Sequence, residues 1–227
     1  MVAHGRKSIP VIICPHRMLE NRKVFTDCIH LLTFHEPGNE LHLVTEVSIP
    51  GGNIDYFLVS ARNRQVVDFV GVELQTLDTT GTLWPQRQNF LRSLGFETDV
   101  FMKQFGINWK MNAKTILIQI HHKIPTFQKI NRRLVLVIQN HLLEYMRRAF
   151  RFEHLRNASI GDPLHIHTYQ IAKTDDKYTL NLTSRYSTDA QGVAASLGLK
   201  TEANIELEQL NKLLEQKISD ATLFVPI

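Results

Sequence analysis

The sequence predicts an α/β fold, a central mixed β-sheet flanked by helices. Three observations carry this. Early in the chain, strand patterns follow one another directly; the middle alternates helix, strand and helix; and no repeat, low-complexity tract or linker interrupts the 227 residues. Successive strands pair antiparallel and strands separated by a helix pair parallel, so the two patterns together give a mixed sheet with helical cover. A chain of this length buries a substantial core as one domain, residues 1–227, with residues 1–40 as an N-terminal extension packed on it.

Each element has its own signal. Residues 1–8 are polar and read as loose, and Ile9–Ile13 is a short apolar run ended by Cys14-Pro15. Leu19–Phe34 reads as one helix, with Val24, Cys28, Leu31 and Leu32 near helical spacing and Glu36-Pro37-Gly38-Asn39 as its stop. Leu41–Ile49 alternates as a strand. Ile54–Ser60 and Val66–Leu77, rich in Val, Phe and Leu, form a hairpin about the polar run Ala61-Arg62-Asn63-Arg64-Gln65. Pro85 opens a helix over Gln86–Leu94. Asn112–Ile124 is a helix on the stripe Ala113, Ile116, Leu117 and Ile120, followed by a buried strand at Leu134–Ile138 and an Arg-rich helix over 141–152. Leu164–Ala172 and Tyr178–Arg185 are strands around the turn Thr174-Asp175-Asp176-Lys177, and helices over Asp189–Leu197 and Asn204–Ile218 complete the chain.

Composition narrows the class. At 43% hydrophobic and 21% charged the chain is globular, and no apolar run is long enough to span a bilayer, which argues against a membrane partner. The first residues lack the apolar core of a signal peptide, and two cysteines are too few for a disulfide framework, so the expected compartment is the reducing cytoplasm. A net charge of +4 admits a polyanionic partner without requiring one.

The hairpin carries the chemistry. Glu73 and Gln75 are two apart and share a strand face, and Asp55 lies on the partner strand within reach of both. Acidic residues on a mostly buried surface cost stability unless they bind something. Two carboxylates converging from adjacent strands make a hard oxygen site suited to Mg²⁺. Such an ion polarises a phosphoryl oxygen and generates hydroxide from water, the two requirements for attacking a phosphodiester. Glu46, on the preceding strand, is a further candidate ligand. Asp68 and Asp78 read as a turn-side charge and a strand-end cap.

Asp on one strand followed by Glu-x-Gln on the next resembles the PD-(D/E)XK nuclease core. The longer runs GGNIDYFLV from Gly51 and DFVGVELQTLDTTGTLWP from Asp68 resemble the NotI-type restriction endonucleases, and WKMNAKTILIQIHHKI from Trp109 and LVLVIQN from Leu134 continue the likeness. The resemblance implies a restriction-endonuclease-like core and Mg²⁺-dependent, sequence-specific hydrolysis of double-stranded DNA to 5′-phosphate and 3′-hydroxyl ends. It makes Asp55, Glu73 and Gln75 catalytic, with Asp55 and Glu73 as metal ligands. Gln75 then stands where this superfamily usually has lysine, and an amide brings dipoles but no charge. Lys110 and Lys114 are candidates to restore the charge. Two other readings share the core: a structure-specific repair or recombination nuclease, and an inactive DNA-binding subunit.

Basic residues supply candidate phosphate contacts: Arg147, Arg148, Arg151 and Arg156 after the LVLVI strand, Lys129, Arg132 and Arg133 before it, with Arg185 and Lys114 elsewhere. A palindromic target calls for a two-fold homodimer. Cys14-x-His16 and Cys28-x-His30 invite a metal, but the spacing is one residue shorter than usual for zinc and residues two apart on a helix diverge, so buried free cysteines are the favoured reading. The NotI-type four-cysteine metal site has no counterpart among two cysteines. His165 and His167 alternate on a strand and share a face.

Overall fold

The computed structural model describes residues 2–4, 10–98, 106–150, 152–174, 177–198 and 207–224. Its centre is a seven-stranded mixed sheet. The strands are β3 (Glu40–Ile49), β4 (Gly52–Arg62), β5 (Gln65–Leu74), β8 (Arg133–Gln139), β9 (Arg156–Asn157), β10 (Leu164–Thr174) and β11 (Lys177–Thr188), preceded by a ribbon of β1 (Val2–His4) and β2 (Pro10–Ile12). A second small ribbon joins β6 (Thr79–Thr80) to β7 (Gly106–Ile107). Across the sheet the order is β3-β4-β5-β8-β10-β11-β9. The β5–β8 and β8–β10 pairs are parallel and the others antiparallel, as expected where helices do and do not intervene.

Hairpin chemistry sets the register of β4 on β5. Asn63 and Arg64, with φ of 53° and 62°, form a two-residue turn with both centres left-handed, the geometry that matches strand twist.

Helices α1 (Lys23–Thr26), α2 (Trp84–Ser93), α3 (Trp109–Lys129), α4 (Asn140–Ala149), α5 (Ala190–Leu197) and α6 (Leu207–Glu215) complete the regular structure. One face of the sheet buries Phe57, Val59, Phe69, Leu134 and Leu136 together with Ile116, Ile120 and Phe127 of α3, Leu142 and Met146 of α4, and Leu210 and Leu214 of α6. The C-terminal helix therefore packs on its own core. The other face buries Leu58, Val70, Val72, Val135 and Tyr169 beneath Ile12, Met18, Val24, Phe25, Cys28, Leu31 and Leu32 of the N-terminal segment.

Local departures from the expected elements have physical causes. Val2–His4 is a strand, not loose chain, because it pairs with Pro10–Ile12. The single helix expected over Leu19–Phe34 is broken into a 3₁₀ segment (Pro15–Arg22), α1 and a 3₁₀ turn (Ile29–Leu31), since Asn21 and Arg22 take φ of 51° and 53°. There the Glu20 carboxylate leaves helical geometry to accept the Leu180 N–H at 3.1 Å, satisfying the strand β11. Helix α3 begins earlier than expected, capped by the Asn108 side chain on the Met111 N–H at 3.2 Å, and runs through Pro125 to Lys129. Asp175 and Asp176, Arg151 and residues 204–206 lie outside the described residues.

Two features fix α3 on the sheet. Gly71 leaves room for Phe127, whose ring atoms would stand 2.5 Å from a Cβ there. Gly51, at φ +100°, brings the β3–β4 turn so close that a Cβ would lie 2.1 Å from the His122 carbonyl oxygen, and the Thr126 hydroxyl donates to the Pro50 carbonyl at 3.0 Å. At the other end of β5, Asp68 is fully buried, pairs with the Arg132 guanidinium at 2.9 Å and accepts the Phe34 and Phe69 N–H groups, each at 2.9 Å. It anchors the sheet to the N-terminal segment, instead of the turn-side charge expected.

Gly51→Ala is expected to cost about 2–4 kcal/mol, from left-handed backbone strain plus displacement of α3, read by urea denaturation. Asp68→Ala is expected to cost about 3–5 kcal/mol in the same assay, because it leaves the Arg132 charge buried without its partner.

Candidate active site

The site forms where β4 leaves its neighbours. The β4–β5 ladder ends at Tyr56↔Val72, and the β3–β4 ladder pairs Thr45↔Tyr56 and Val47↔Ile54 but skips Glu46 and Asp55. Asp55 thus stands at a break in both ladders. Its Oδ2 accepts the Leu74 N–H at 2.8 Å, closing the gap with a side chain where a strand would have supplied a carbonyl. Glu46, opposite it, has φ of 55° and is exposed. Left-handed backbone at a non-glycine residue costs about 1–2 kcal/mol, and such outliers gather at functional sites.

Beyond the parting, β5 continues alone against β8. Glu73↔Leu136 and Leu74↔Val137 remain paired, and the Gln75 N–H donates to the Val137 carbonyl at 3.0 Å. The ends of β5 and β8 are tied down by β2: Gln139 accepts the Ile12 N–H at 2.6 Å and donates to the Pro10 carbonyl at 3.1 Å, while the Leu77 N–H reaches the Ile12 carbonyl at 3.2 Å. Glu73 is 1% exposed, on the face covered by α3. Asp55, Glu73 and Gln75 converge: the Asp55 charge acts on Glu73, and the Gln75 side chain hydrogen-bonds it.

A fourth residue joins them. Lys123 of α3 is 6% exposed, and its Nζ donates to Glu73 Oε1 at 2.7 Å. Lys110 and Lys114, the lysines expected to bring charge here, are exposed on α3. Lys114 lies about 13 Å from Lys123 along the helix axis. Lys123 had a legible signal: with Ile116, Ile120 and Phe127 it falls on one apolar stripe of the helix, where a lysine needs a buried anion.

Burial pushes the Glu73 carboxyl up to about 7, and the Asp55 charge adds to this; the Lys123 and Gln75 hydrogen bonds oppose it. Burial also raises Asp55, with the Leu74 N–H and Lys123 opposing and Glu46 reinforcing. A carboxyl raised above its ordinary 4.5 favours the fold only while protonated, and that advantage is lost as the pH rises through about 7. Ionised, the pair is a cation-seeking arrangement. Asp55 and Glu73 would offer two hard oxygen donors with the Gln75 amide beside them, a set that fits the chemistry of Mg²⁺, which binds through one or two carboxylates and keeps water and phosphate as its remaining ligands. Among the described residues, no three or more His, Cys, Asp or Glu side chains are grouped so that they could hold a metal ion.

The remaining expected residues fall elsewhere. Arg147 and Arg148 are exposed on α4, and Arg147 lies over the Tyr186 ring at 4.1 Å on the helical face. Arg185 projects to the opposite face, 3.7 Å from Asp27. The structure therefore does not gather these arginines into one surface. Cys14 and Cys28 are free thiols, with Cys28 buried and its Sγ 3.9 Å from His167 Nδ1. His165 and His167 share the face beneath the N-terminal segment, and burial pushes them down to about 4 and 3.

The model of the restriction endonuclease NotI family matches residues 2–180, well over half of the chain. The chain belongs to the NotI restriction endonuclease family. It is a type II restriction endonuclease by family, an enzyme that hydrolyses double-stranded DNA. No curated protein gives a significant match. No helix among the described residues is long and apolar enough to cross a membrane.

If Asp55 and Glu73 hold a divalent ion, its binding is expected to follow the ionisation of Glu73. Because the ion competes with a proton, Mg²⁺ affinity should rise about tenfold per pH unit below about 7 and level off above it, with proton release on binding; titration calorimetry in buffers of different ionisation enthalpy reads both.

Proposed function

We propose that this restriction endonuclease is a Mg²⁺-dependent, sequence-specific nuclease with a PD-(D/E)XK-type core, leaving 5′-phosphate and 3′-hydroxyl ends. The observation that carries it is the convergence of Asp55 and Glu73 at the parting of β4 from β5, beside the Gln75 amide and within a family of DNA-cleaving enzymes. Asp55 and Glu73 are the metal ligands of this reading. Exposed Glu46, across from Asp55, is a further oxygen donor.

Bound there, Mg²⁺ supplies charge neutralisation and Lewis acidity toward the scissile phosphate. The chain's own residues do the positioning. Leu74 N–H fixes the Asp55 carboxylate, and β8 holds Gln75 at the strand end, where its amide can orient the attacking water. Water attacks phosphorus, the P–O3′ bond breaks, and the leaving oxygen takes up a proton. A homodimer presenting two such sites to a palindrome completes the proposal, with exposed Arg147, Arg148 and Lys114 as phosphate contacts.

Asp55→Asn keeps an acceptor for Leu74 N–H while removing the charge. This variant and Glu73→Gln are expected to lower cleavage of long double-stranded DNA in Mg²⁺ by at least about 1,000-fold while retaining DNA binding. Sequencing the ends made by the unaltered enzyme tests site specificity: scattered ends, or cutting confined to forks and flaps, would favour the repair-nuclease alternative. Equal cleavage by Asp55→Asn and the unaltered chain would remove the carboxylate site from the mechanism.

A further inference from the structure

We infer that Lys123 supplies the catalytic cation of this site, delivered from helix α3 in place of the strand position that Gln75 occupies. The inference rests on the nuclease reading above and adds to it a residue outside the Asp-Glu-x-Gln motif.

Charge accounting leads to it. Attack on a phosphodiester builds negative charge on the phosphoryl oxygens, and an amide at position 75 offers only dipoles. The cation nearest Glu73 comes from another element. Lys123 Nζ, 2.7 Å from Glu73 Oε1, also acts electrostatically on Asp55, so one ammonium serves both carboxylates. A buried lysine is costly unless it is paired, and this one is seated with care. Gly52, at φ +130°, lies so close that a Cβ would stand 3.3 Å from Lys123 Cε. Gly51 presses on the His122 carbonyl one residue before, and the Thr126 hydroxyl holds Pro50 one turn after. The turn preceding β4, the strand of Asp55, thus grips the stretch of α3 that carries the lysine.

The proposal gives Lys123 two roles. Without substrate, its ammonium neutralises Glu73. Were a metal bound, Asp55 and Glu73 would hold it, and the Lys123 ammonium would then be available to the scissile phosphate, where it would stabilise the charge that develops as the P–O3′ bond breaks. Lysine brings a point charge with three rotatable donors on a flexible stem.

Four forms of the full-length protein test it: unaltered, Lys123→Met, Gln75→Lys, and the double variant Gln75→Lys/Lys123→Met. Single-turnover cleavage of a long unmethylated double-stranded DNA is measured in Mg²⁺, DNA binding in Ca²⁺, and stability by urea denaturation. Lys123→Met is expected to lose about 100-fold or more in the cleavage step with DNA binding kept within about threefold. The double variant is expected to regain at least about tenfold of that loss, because the charge returns from the neighbouring strand. Cleavage by Lys123→Met within about threefold of the unaltered rate would overturn the proposal. So would a loss that the double variant fails to recover while both variants remain folded, since that pattern belongs to a structural counter-charge. If Lys123→Met unfolds, Lys123→Arg decides: retained folding with retained cleavage supports a catalytic cation, and retained folding with lost cleavage and no recovery by Gln75→Lys overturns it. Absence of cleavage by the unaltered protein on any double-stranded DNA would instead sink the nuclease reading beneath it.

Discussion

A carboxylate at the end of a central strand, 1% exposed, is the constraint around which this molecule is arranged. Water cannot solvate Glu73, so its charge must be met from within, and a lysine from a helix fifty residues away meets it. That pairing explains otherwise unrelated features. Gly71 and Phe127 let α3 approach the sheet closely enough, and the glycine pair before β4 lets a turn close over the helix beside the lysine. Each would be an indifferent choice if Glu73 were at the surface.

The two buried carboxylates of β5 show how environment separates structure from chemistry. Asp68 has a guanidinium and two backbone N–H groups at 2.9 Å, and satisfied this way it acts as a rivet between sheet and N-terminal segment. Glu73 has one ammonium, an amide and another carboxylate beside it, and burial leaves its proton in balance near neutrality. Five residues apart on one strand, one is over-provided with partners and the other is left short. The shortage is what the proposed ion would fill.

Much of the fold was legible because strands and helices write their periods into the chain. The β3–β4–β5 meander and the β5–α3–β8 crossover follow from alternating and striped apolar residues, and Asp55 and Glu73 stood out as charge on that background. What was hidden needed partners distant in sequence. The N-terminal helix breaks because Glu20 serves β11, 160 residues on. A helix read as ending at Ile124 leaves Phe127 off the apolar stripe that places Lys123 among buried residues, whereas the helix continues through Pro125 to Lys129. The break in both ladders at Asp55 is likewise a property of three strands together, and no local pattern announces it.

The Gly51 contact has a consequence for the timing of synthesis. The hairpin bearing Asp55 and Glu73 leaves the ribosome well before Lys123 and His122, the residues on which the Pro50-Gly51 turn must close. Until α3 has been made and has docked, the two carboxylates lie on an open ribbon with nothing to bury them or to shift their protons. On the proposed reading the site acquires its working geometry only after this long-range closure, and an unfinished chain would carry the proposed catalytic residues without the arrangement that joins them.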